Sequence, residues 1–73
     1  MNQHDPDGLM AAFGKRVREI RKGRGMTMEH LAEKTGLSKR QIIRVELGEV
    51  NSKLSTICAL AEGLGVEVAE LFY

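Results

Sequence analysis

The chain has 73 residues, a length that holds one small domain, and a single core of that size supplies only about 3–5 kcal/mol unless it packs well or the chain self-associates. Hydrophobic residues make up 42% and charged residues 29%, an ordinary balance for a globular protein, and the one cysteine excludes an intrachain disulfide and a cysteine-rich zinc site. No apolar run is long enough to cross a bilayer, and residues 1–8 have neither the basic start nor the apolar segment of a signal peptide, so a cytoplasmic location without a membrane partner is expected.

Residues 1–8 are polar, contain the only proline and read as a disordered arm ahead of a folded domain over residues 9–73. A first helix fits Leu9 to about Lys22, with Leu9, Phe13, Val17 and Ile20 on one face and Gly23 and Gly25 ending it. A second begins at the N-cap candidate Thr27, carries Leu31 and Ala32, and stops at Gly36. A third begins at the N-cap candidate Ser38 and runs through Ile42 and Val45 to Glu46 before Gly48. After a loop over residues 48–53, a fourth helix, capped by Ser55 or starting just before it, aligns Leu54, Ile57, Cys58, Ala61 and Leu64, with Leu60 broadening the stripe. That places Cys58 in the core as a small apolar residue. Gly63 and Gly65 close this helix, and a short fifth helix from Glu67 to Phe72 presents Val68, Leu71 and Phe72. No alternating run is long enough for a sheet, so the expected fold is all-α: five short helices around one core.

Net charge is only +1, yet residues 15–53 hold all 11 Lys and Arg against five acids, a local balance of +6. Residues 1–14 contribute −2 and residues 54–73 contribute −3. Basic charge gathered on one part of a small domain is the footprint of a phosphate-binding face.

The second and third helices are too short to stand alone. Two helices crossing steeply need a small side chain where they approach, a residue tolerant of positive φ at the corner, and apolar inner faces. Ala32, Gly36, and the set Leu31, Leu37, Ile42 and Val45 supply these, which leaves Lys39, Arg40, Gln41, Ile43 and Arg44 on the outer face. With Leu31, Ala32, Gly36, Ile42, Val45, Glu46 and Gly48 in register, the segment resembles the helix-turn-helix of the lambda-repressor-like family, also called the Xre or Cro type. The stretch from Phe13 to Arg21 resembles that family's first helix, and that from Leu60 to Val66 its fourth helix and following turn, so the likeness extends over about 60 residues.

The resemblance implies sequence-specific binding of double-stranded DNA by a small transcriptional regulator, with Ser38–Glu46 as recognition helix in the major groove. By position in the motif, Lys39 and Arg40 stand at the start of that helix and Arg44 one turn further on, all suited to guanine. Gln41 suits an adenine or a phosphate, and Ile43 a thymine methyl or the edge of the interface. Thr27, Met28 and Ser38 at the helix starts, and Asn51, Ser52 and Lys53 in the loop, are the expected phosphate contacts. The family commonly has glutamine where Met28 stands and proline where Ser52 stands, and Glu29 would repel phosphate if it faced DNA. Arg21 and Glu46 match a buried ion pair of the family, which would orient helices rather than touch DNA. The alternative for Arg21 is a phosphate contact alongside Arg16, Arg18, Lys22 and Arg24.

One recognition helix reads only about 4–5 base pairs, so a homodimer on a two-fold symmetric operator is expected, with Leu64, Val68, Phe72 and Tyr73 at the interface. No cofactor or metal is implied. His4 and His30 lie apart, and the trio His4, Asp5 and Asp7 sits in the arm; no nucleophile or carboxylate pair accompanies them, so no enzyme is read. Other roles of the same fold are an antitoxin with a toxin partner or a restriction-modification controller. The rival from another class is a protein-interaction module that does not read DNA.

Overall fold

The computed structural model describes residues 6–72. Its order is α1 (Pro6–Gly23), α2 (Met28–Thr35), α3 (Lys39–Glu46), α4 (Leu54–Leu64) and a 3-10 helix (Val68–Phe72). The fold is therefore all-helical, with four α-helices rather than the five expected. The last segment is five residues long and its turn closes from the Glu70 N–H to the Glu67 carbonyl at 3.0 Å, the tighter i to i+3 pattern of a piece too short to propagate an α-helix.

The first helix begins three residues before the expected start. Proline lacks an N–H that the first turn would leave free anyway, its φ suits a helix, and Asp7 faces the positive end of the helix dipole. Residues 6–8, read as arm, are thus helical; residues 1–5, with His4 and Asp5, lie outside the described residues. The buried face of α1 is Phe13, Gly14, Val17 and Arg21, while Leu9 is exposed and Ile20 only half-buried. Gly14 lets α1 lie directly against the end of α3: a Cβ there would overlap the Val45 carbonyl oxygen.

The α2–α3 corner forms as local chemistry dictates. Thr27 Oγ1 accepts the His30 N–H at 3.0 Å, and Gly36 takes up φ 77° and donates its N–H to the Ala32 carbonyl at 2.9 Å. Leu31, Ile42 and Val45 then meet Val17, Leu60, Ala61, Leu64 and Leu71 in one core, which Phe13 closes.

On α4 the buried face is Leu60, Ala61 and Leu64, with Ile57 partly buried. This corrects three expectations. Leu54 is 80% exposed at the helix start, and Cys58 is exposed because it lies about 110° around the helix from the centre of that face. Leu64 is 1% exposed and belongs to the core, so it is no interface residue. The helix starts at Leu54 after Lys53, ahead of Ser55.

Candidate nucleic-acid interface

The outer face of α3 is held in place from behind. Arg21 reaches across from α1 to grip Glu46 with two bonds, Nε to Oε2 at 2.6 Å and Nη2 to Oε1 at 3.0 Å, and donates a third from Nη1 to the Met26 carbonyl at 2.8 Å. Both side chains are buried, and the hydrogen-bonded Glu46 carboxylate holds the Arg21 guanidinium pKa above its ordinary value. Three bonds, one from each guanidinium nitrogen, tie the end of α3 and the α1–α2 turn to α1. Arg21 is therefore spent on structure and is not free to meet a phosphate.

At its start, α3 is fastened by a reciprocal cap. Ser38 Oγ accepts the Gln41 N–H at 3.1 Å while Gln41 Oε1 accepts the Ser38 N–H at 2.8 Å. Gln41 in this arrangement braces the helix through one lone pair of Oε1, which leaves the second lone pair and the Nε2 donors for a base or a phosphate.

The three cations of α3 differ in their surroundings. Lys39 Nζ lies 2.8 Å from Glu29 Oε2 on α2, and Arg44 Nε lies 3.9 Å from Glu49 Oε1, with all four side chains at least half-exposed. Arg40 is exposed and has no ion-pair partner among the described residues. Ile43 is half-buried and shares a shallow depression of about 200 Å³ with Met28, Arg18, Glu46 and Leu47, away from Arg44. The Met28 side chain packs against the core, which leaves its backbone N–H in the first turn of α2, beside Thr27, as the group an anion would meet.

Gln41 and Arg44 of α3 converge with Asn51, Ser52, Lys53 and Thr56 around an open cleft of about 240 Å³. Two residues expected at bases and three expected at phosphates thus line one concavity. Ser52 Oγ is buried there without a hydrogen-bond partner among the described residues, and Lys53 occupies the N-cap position of α4 without using its exposed side chain as a cap. Sequence reasoning missed Thr56, whose place follows from the turn into α4, and the pairing of Glu29 with Lys39. No periodicity links residues ten apart across a helical corner.

Of the expected interface residues, Val68 is 39% and Phe72 51% exposed, and Phe72 stacks on Phe13 with ring centroids 5.3 Å apart. Tyr73 lies outside the described residues. The Arg16 Nε donates to the Glu70 carbonyl at 2.8 Å and pins the 3-10 helix to α1.

A family profile described as helix-turn-helix matches residues 17–71, which takes in the Arg21–Glu46 pair, the corner and the cleft. The chain belongs to the lambda-repressor-like helix-turn-helix family. This helix-turn-helix domain is 40% identical over 58 residues to the immunity repressor protein of Bacillus phage phi105, covering 80% of this chain and 40% of that protein. The chain thus spans less than half the length of that repressor. It is also 35% identical over 57 residues to an HTH-type transcriptional regulator of Archaeoglobus fulgidus, covering 78% of this chain and 81% of that protein. Among solved structures it is similar to the restriction-modification controller protein C.AhdI of Aeromonas hydrophila, with a TM-score of 0.84, 40% identity, and coverage of 86% of this chain and 96% of that one. The helix-turn-helix family is one of DNA-binding transcription regulators rather than enzymes, and this domain is a DNA-binding module of that kind. Among the described residues no helix is long and apolar enough to cross a membrane.

Proposed function

We propose that this domain reads duplex DNA sequence-specifically, laying α3 in the major groove and gripping the flanking phosphates with the loop before α4. The observation that carries this reading is the convergence of Gln41 and Arg44 with Asn51, Ser52 and Lys53 around one cleft. A phosphate oxygen there would meet the exposed Lys53 ammonium, while Arg40 and Arg44 address base edges. The Met28 N–H at the start of α2, beside the Thr27 cap, supplies a second anion contact on the same motif, the Glu29 N–H being already met by its own carboxylate. The working species is a homodimer on a two-fold symmetric operator, in the cytoplasm. Selection of bound sequences from a random duplex pool, followed by titration at several salt concentrations, tests the reading. Enrichment of a palindromic site bound with a steep salt dependence is expected. Salt-insensitive binding, or none, would favour a protein-interaction module.

Within transcription regulation, a restriction-modification controller is favoured by the likeness to C.AhdI over 96% of that chain. A selected site lying upstream of genes for a methyltransferase and an endonuclease supports that role; one lying upstream of a toxin gene supports an antitoxin instead.

A further inference from the structure

We propose that Glu29 sets the sequence discrimination of the recognition helix by tethering Lys39, an inference that rests on the duplex-DNA reading above. Lys39 is the first residue of α3, next to Arg40, at the positive end of a helix with no acid in its own first turn. The carboxylate that offsets this charge comes from another helix: Glu29 Oε2 meets Lys39 Nζ at 2.8 Å. Glu29 is itself well placed to stay ionised. The Lys39 hydrogen bond and a backbone N–H of its own helix turn hold its carboxyl below the ordinary range, and it stands in the first turn of α2, where the helix dipole favours an anion.

An exposed pair of this kind adds little to folding stability. Its effect lies in what Lys39 is free to do. A lysine ammonium on a flexible four-carbon stem swings readily to the nearest phosphate, a contact that carries no sequence information. Held by Glu29, the ammonium keeps two of its three N–H donors in one place at the start of α3, where the motif points into the groove and guanine O6 and N7 are the acceptors within the chemistry of lysine. Glu29 is thus a positioning residue, exchanging affinity for all DNA against preference for one sequence.

The test is a double-mutant cycle with wild type, Glu29→Gln, Lys39→Ala and the double variant. Each is titrated against its selected site and a random duplex at several salt concentrations, and melting curves check that all four fold. Glu29→Gln is expected to bind random duplex roughly threefold tighter or more, with a salt slope steeper by about 0.9, as one further phosphate is neutralised. Its preference for the selected site should fall about fivefold or more. In the Lys39→Ala background, Glu29→Gln should leave that preference unchanged. An unaltered preference in Glu29→Gln, or the same loss with and without Lys39, overturns the proposal while leaving DNA reading intact. A wild-type chain without salt-sensitive duplex binding overturns the DNA reading itself.

Discussion

Arg40 and Arg44 share a helix with Lys39 but not its restraint. Arg40 has no ion-pair partner among the described residues, and the 3.9 Å separation of Arg44 from Glu49 is too long for the hydrogen bond that restrains Lys39 at 2.8 Å. Alanine at either position is expected to weaken binding to the selected site by about 1–3 kcal/mol while changing random-duplex binding far less. Lys53→Ala should lower both alike and make the salt slope shallower by about 0.9. Equal losses on both duplexes for all three variants would remove Arg40 and Arg44 from the base-reading set. Arg21 calls for the opposite test, because its bonds point inward. Truncating one member of a buried pair costs about 3–5 kcal/mol, comparable to the whole stability of so small a domain, so Arg21→Lys and Glu46→Gln are the workable variants. Each should lower the denaturant midpoint, and the double variant should lose less than the two losses added, since the second change removes a partner already compromised. Strict additivity would mean that the pair is not coupled. The Arg21–Glu46 pair was legible because motif position links its members; the Glu29–Lys39 pair was not, because only the folded corner brings those residues together.

At the scale of elements, what a sequence makes legible is what local chemistry decides. Thr27, Gly36 and Ser38 bound α2 and α3 because a hydroxyl that accepts a backbone N–H, or a glycine at φ 77°, satisfies groups that no tertiary contact is needed to define. Which face an apolar helix buries is a tertiary decision. Along α4 seven of eleven residues are apolar, so the pattern admitted Leu54 and Cys58 to the stripe that Ile57, Leu60, Ala61 and Leu64 form. The α1–α3 contact carried a clearer signal at Gly14, a residue with poor helix propensity in mid-helix. Alanine would normally stabilise such a position by about 1 kcal/mol, but here its Cβ meets the Val45 carbonyl oxygen, part of a backbone that is already hydrogen-bonded and cannot retreat cheaply. Gly14→Ala is therefore expected to destabilise by about 2–3 kcal/mol. Gly23, with nothing within 4 Å of a built Cβ, serves as the control: Gly23→Ala should be neutral or stabilising by up to about 1 kcal/mol. Thermal or denaturant melts of both variants decide this, and equal effects would show that α1 and α3 do not approach so closely.

For the whole molecule, the open matter is how one short recognition helix finds a site. It spans about 4–5 base pairs, and proteins of this motif gain specificity by placing two copies one helical turn apart. The surface offers apolar residues for such a pairing at the end opposite in charge to the DNA-reading face: Val68 and Phe72 are partly exposed on the 3-10 helix, and Leu9 joins Phe72 around one depression. Phe72 also stacks on Phe13, so Phe72→Ala would disturb the monomer by about 0.5–1.5 kcal/mol as well as any interface. Val68 is the cleaner probe, since a charge there stays in water in the monomer and is buried only on association. Sedimentation at micromolar concentration should find a dimer in the wild type and a monomer in Val68→Asp with an unchanged melting curve. Salt provides a second, independent readout. Residues 54–73 carry −3, so bringing two such ends together opposes like charges, which added salt screens. Dimerisation should therefore tighten with salt while DNA binding weakens, giving opposite slopes for two functions of one small domain. A wild-type monomer that binds a single half-site without cooperativity would refute the symmetric arrangement. A dimer indifferent to both Val68→Asp and salt would keep the symmetry and place the contact on another face.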